Sequence, residues 1–130
     1  MRVKVAAQVL SQRVSSTMPG FAVHGDGTLP PTAVDTGDFI LFMDMVFDSI
    51  NESRIQPEEG KPLRVAVTEG SVHKDFWCEA IKGFSGVKFF TDRREFVPPS
   101  VKNWILTLRD FIFIWKRLRD LDLSFFAQEI

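Results

Sequence analysis

Phe39-Ile40-Leu41-Phe42-Met43-Asp44-Met45-Val46-Phe47-Asp48-Ser49-Ile50-Asn51 contains neither proline nor glycine and has the spacing of an amphipathic helix. At about 100° per residue, Phe39, Met43, Val46, Phe47 and Ile50 fall on one face. Asp44, Asp48 and Asn51 occupy the next arc, with Phe47 at the edge of the apolar stripe. Thr36 or Asp35 can cap this helix, which then runs to about Glu52.

The same periodicity extends to both sides. Val3, Ala7, Leu10, Val14 and Met18 predict a first helix over 3–18, with Lys4, Gln8, Ser11 and Ser15 as its polar flank and Pro19-Gly20 as its end. Residues 19–34 read as a loop broken by Gly25-Asp26-Gly27 and Pro30-Pro31, and a second loop centres on Pro57 and Gly60. Leu63–Val67 fits either a short strand or a helical turn. Phe76, Trp77, Ala80, Ile81 and Phe84 mark a third helix over 72–84, and Val87–Phe90 is β-prone but isolated. Pro98-Pro99-Ser100 opens the longest helix, about 100–120, with Val101, Trp104, Ile105, Leu108, Phe111, Ile112 and Trp115 on its broad apolar face. The expected fold is mainly α: a single helical domain, residues 1–130, of about four principal helices with long loops.

Composition supports one ordinary domain. Hydrophobic residues make up 45% of the chain, enough to build a core. The net charge of −1 provides no overall field toward nucleic acid or membrane. Basic residues nevertheless outnumber acidic ones from Lys88 to Arg119. A single cysteine, Cys78, excludes an internal disulfide and suits a reducing compartment. No apolar run approaches the ~20 residues of a membrane span, and the N-terminus lacks a secretory pattern. A soluble intracellular protein is expected. The apolar Leu123-Ser124-Phe125-Phe126 ends as though the chain once continued.

Catalytic signatures are missing from the pattern. Gly25-Asp26-Gly27 lacks the Gly-Lys-Ser/Thr ending of a phosphate-binding loop, and His73 and Cys78 lack a second pair of zinc ligands. The second helix is more suggestive. A ring at Phe47, a carboxylate at Asp48 and an amide at Asn51 match a planar base that offers two N–H donors, and guanine is that base. The same three residues also read as a core ring, a surface acid and a helix-end amide. Asp44 and Asp48 are like charges at i,i+4, a mild cost unless a cation offsets it. On the longest helix, Leu106 and Phe113 lie opposite the apolar face among Lys102, Arg109, Lys116 and Arg117, which marks either a contact surface or local packing.

Several segments resemble one family in order and spacing. Arg2-Val3-Lys4-Val5-Ala6-Ala7-Gln8-Val9-Leu10-Ser11 is similar to the opening of the GTP-binding insertion domain of P-element-type (THAP-related) transposases. Phe47-Asp48-Ser49-Ile50-Asn51 resembles the Phe-Asp-x-x-Asn end of that family's second helix. Lys61-Pro62-Leu63-Arg64 and Pro99-Ser100-Val101-Lys102-Asn103-Trp104-Ile105-Leu106-Thr107 resemble later segments. The resemblance implies a helical domain that interrupts an RNase H-like catalytic core and binds GTP as a non-hydrolysed cofactor, with Mg²⁺ able to accompany the nucleotide. It implies base stacking by Phe47, base-edge contacts by Asp48 and Asn51, and sugar or phosphate contacts by Arg2, Val3 and Ser11. The catalytic core becomes the partner of the Leu106/Phe113 face, DNA is met only through the full-length protein, and the location is the nucleus. The chain would stop before the C-terminal part of that core, so no enzyme activity and no catalytic residue are expected of it alone. The alternative is a helical interaction or scaffold fragment of a decayed transposase that no longer binds nucleotide.

Overall fold

The computed structural model describes residues 3–25, 27, 29–52, 54–121 and 125–126. They are mainly helical: α1 (Val3–Val9), α2 (Gln12–His24), α3 (Ala33–Ile50), α4 (His73–Gly86) and α5 (Pro99–Asp120). Strands of two residues each complete them: β1 (Val67–Thr68), β2 (Phe89–Phe90), β3 (Glu95–Phe96) and β4 (Phe125–Phe126). The chain divides into two compact units, Met1–Ser49 and Ile50–Ile130.

In the first unit, the helix expected over 3–18 is broken. Ser11 takes an extended conformation (φ −116°, ψ 154°), and its Oγ accepts the Val14 N–H at 3.4 Å. A serine that caps a new helix in this way ends the preceding one. Pro19, expected as a terminator, lies inside α2 instead. Proline has no N–H to give the Ser15 carbonyl four residues back, yet the helix continues to His24 and closes with Gly25 N–H on Phe21 O at 3.1 Å. Around this point the hydroxyls of Ser15, Ser16 and Thr17 donate to the carbonyls of Gln12, Arg13 and Val14. Such back-bonding bends helices and accommodates the proline. α3 passes α2 here: a Cβ on Gly37 would sit 3.2 Å from Ser15 O and 3.6 Å from Met18 Cβ and Pro19 Cδ. A glycine allows that close approach.

α3 begins at Ala33, earlier than Asp35 or Thr36, because the carbonyls of Pro30 and Pro31 accept the N–H groups of Ala33 and Val34. Val46 and Ile50 are buried as expected, but in the first half of the helix the buried stripe is rotated from the expected one. Phe39 is exposed, whereas Ala33, Gly37, Ile40 and Asp44 are buried in line. From Leu41 to Ile50 no residue is exposed.

The second unit is built on α4 against α5. Trp77 meets Phe111 edge to face at 5.6 Å, and Phe84 lies parallel to Trp104 at 6.1 Å. Val101, Leu108, Phe111 and Trp115 bury the predicted face of α5. Before α4, Leu63, Ala66 and Val67 are buried; of the segment 63–67 only Val67 is in a strand, β1, which pairs antiparallel with Phe125–Phe126, while 63–65 are turn and bend. The turn at 58–61 places Gly60 at φ 75°. Arg64 bonds both Glu52 and Glu58, each at 3.1 Å, and Arg54 bonds Glu58 at 2.8 Å, so this segment is clasped by charge. Val87–Phe90 is not isolated. Phe89 pairs with Phe96 and Phe90 with Glu95 in a hairpin closed by Thr91 N–H on Arg94 O.

Candidate functional site

Phe47 and Asp48 occupy the last turn of α3, and Asn51 follows the helix directly; all three are half-buried. Gly37, Asp44 and Asp48 recur at seven- and four-residue steps, so they share a side of α3, and Gly37 shows that this side faces α2. Asp44, expected on an open polar arc, is 8% exposed. Its burial follows from the rotation of α3 that sets Gly37 against α2. Among the described residues no buried side-chain nitrogen or oxygen lacks a hydrogen bond.

The expected sugar and phosphate contacts divide differently. Arg2 lies outside the described residues, and Val3 opens the backbone of α1. Ser11 is half-buried, and its side-chain oxygen is engaged as the α2 cap, which leaves its own O–H to donate. Phe47, Asp48 and Asn51 are thus neighbours in the chain at the end of α3, and Ser11 stands at the junction of α1 and α2.

One histidine contributes more than its sequence context suggests. His73 is fully buried, Nε2 lies 3.0 Å from Leu63 O, Nδ1 lies 2.9 Å from Ser71 Oγ, and the ring meets Trp77 edge-on at 5.8 Å. A carbonyl only accepts, so Nε2 carries hydrogen. Burial holds the imidazole below its ordinary pKa of 6.5, against the opposing pull of the Leu63 and Val65 carbonyls. Nothing in the local sequence marks His73, because its burial comes from a loop ten residues upstream. Cys78 is exposed and apart in character from His73, and among the described residues no group of three or more His, Cys, Asp or Glu side chains could hold a metal.

A shallow depression of about 360 Å³ lies along α2, lined by Ser16, Thr17, Gly20, Phe21, His24 and Gly25. It shares no residue with the set above. Comparison with protein families, curated proteins and solved structures finds no match to this chain. No helix among the described residues is long and apolar enough to cross a membrane.

Proposed function

We propose that this chain is a nucleotide-binding module, the GTP-binding insertion domain of a P-element-like transposase, using GTP as a non-hydrolysed cofactor. The observation that carries the reading is the last turn of α3. Phe47 and Asp48 stand half-buried on the helix whose Gly37 side faces α2, followed at once by Asn51. A sheltered carboxylate accepts both N–H donors of a guanine edge, at roughly 1.5–3 kcal/mol for each charged hydrogen bond. Adenine presents an acceptor where guanine presents one of those donors, so the same group rejects it. The resemblance of the ordered segments 2–11, 47–51, 61–64 and 99–107 supports the same ligand. On this reading the resemblance assigns Arg2, Val3 and Ser11 to the sugar and phosphates, and Mg²⁺ can accompany the nucleotide. Transposition chemistry then belongs to the RNase H-like core of the parent protein in the nucleus, which also supplies the contact with DNA.

Thermal unfolding with GTP, GDP and ATP tests this directly. GTP raises the melting temperature of the wild type, ATP leaves it in place, and Asp48→Ala abolishes the GTP effect. Equal responses to GTP and ATP, or an unchanged response in Asp48→Ala, would sink the reading. A second reading, a helical interaction fragment without nucleotide, draws on the exposure of Leu106 and Phe113 on α5.

A further inference from the structure

The outer face of α5 has a composition that neither solvent nor the core explains. Leu106 is 57% and Phe113 62% exposed, one heptad apart and opposite the buried line of Val101, Leu108, Phe111 and Trp115. Lys102, Arg109 and Lys116 repeat at the same heptad interval on one flank, and Arg117 stands beside Phe113's turn on the other. All four are exposed, and among the described residues none forms an ion pair. Arg119 on the same helix does, with Glu69. Asp110 and Asp120 leave the strip net positive.

We propose that this strip is a docking surface for an acidic amphipathic helix of a partner protein. Its apolar residues would cover Leu106 and Phe113, while carboxylates on its flank meet Lys102, Arg109 and Lys116. Charge complementarity selects this occupant. A second copy of the chain would set one basic strip against another, and like charges across an interface oppose association. A nucleic-acid backbone would satisfy the cations but leave both large apolar side chains in water. A helix with anchors at i, i+3 and i+7 matches the heptad spacing and satisfies both demands. The proposal uses none of the nucleotide-site residues; it names the chemistry of the partner for the Leu106/Phe113 face, which the resemblance gives to the catalytic core.

Fluorescence anisotropy with the full chain provides the test. The probes are a designed peptide helix with leucines at i, i+3 and i+7 beside glutamates, its lysine-for-glutamate counterpart, and a DNA duplex. The glutamate peptide should bind, weaken as salt rises, and outcompete both other probes. Phe113→Ser should weaken it by about tenfold or more with no change in circular dichroism, because the side chain is exposed. Arg109→Glu with Lys116→Glu should transfer the preference to the lysine peptide. Absence of glutamate-peptide binding, equal binding of both peptides, or displacement by DNA with no effect of Phe113→Ser would each overturn the proposal.

Discussion

His73 shows how one side chain can tie a loop to a helix. Its Nε2–H donates to Leu63 O while its ring packs on Trp77, so the loop, β1 and α4 meet at one imidazole. Nδ1 lies 2.9 Å from Ser71 Oγ, whose single O–H is shared between Nδ1 of the neutral ring and Thr68 O at 2.9 Å, and whose oxygen accepts the Thr68 N–H. Burial lowers the folded-state pKa below 6.5, so the unfolded chain takes up a proton first as pH falls. The stability this group contributes is whole above about 6.5, declines below it, and is gone once the pH has passed the lowered folded value. Urea midpoints measured across that range should fall for the wild type. In His73→Gln, which keeps a donor for Leu63 O, that part of the slope should vanish. An equally steep decline in the variant would show that the imidazole is not responsible.

At the scale of elements, two glycines separate intrinsic helix propensity from packing. Gly20 lies inside α2, where an added Cβ would have no neighbour within 4 Å, and Gly37 lies inside α3, where a Cβ would meet Ser15 O at 3.2 Å. Gly20→Ala should therefore stabilise by about 0.5–1 kcal/mol. Gly37→Ala should yield less or turn destabilising, because overpacking offsets the gain. Denaturant melts compare the two directly, and equal gains would mean that α2 and α3 do not abut at Gly37. On α5, Leu108→Ala should cost about 2–5 kcal/mol, whereas Leu106→Ala should stay within about 0.5 kcal/mol. Reversed magnitudes would place the core on the wrong face. The second contrast was legible beforehand, since α5 has a wide and regular apolar stripe. The first was not. Small residues at Ala33 and Gly37 carry no hydropathy signal, so spacing alone puts Phe39 inward and Asp44 outward. The Ser11 break and the Phe89–Phe96 hairpin were hidden for related reasons: a single cap and strands of two residues establish no period.

For the molecule as a whole, the helical class followed from periodicity, while the candidate site was legible only where it is local. Phe47, Asp48 and Asn51 are chain neighbours at the end of one helix, so sequence alone sets them side by side. Ser11 was visible as a polar edge, but its capping role depends on a chain turn that the spacing conceals. If guanine is the ligand, its recognition can be inverted chemically. Asp48 as a carboxylate offers two acceptors to the N–H donors of guanine, whereas an asparagine offers one acceptor and one donor. Xanthine carries an oxygen where guanine carries its amino group, so Asp48→Asn complements xanthine and opposes guanine. On that reading, GTP at a hundred times its dissociation constant would stabilise the wild-type fold by about 2.7 kcal/mol. The Asp48→Asn variant should lose that stabilisation with GTP and recover it with xanthosine triphosphate, read as a shift in melting temperature. A variant that loses the GTP response and gains none with the xanthine nucleotide would assign Asp48 to the fold, while retention of the GTP response would remove it from base recognition.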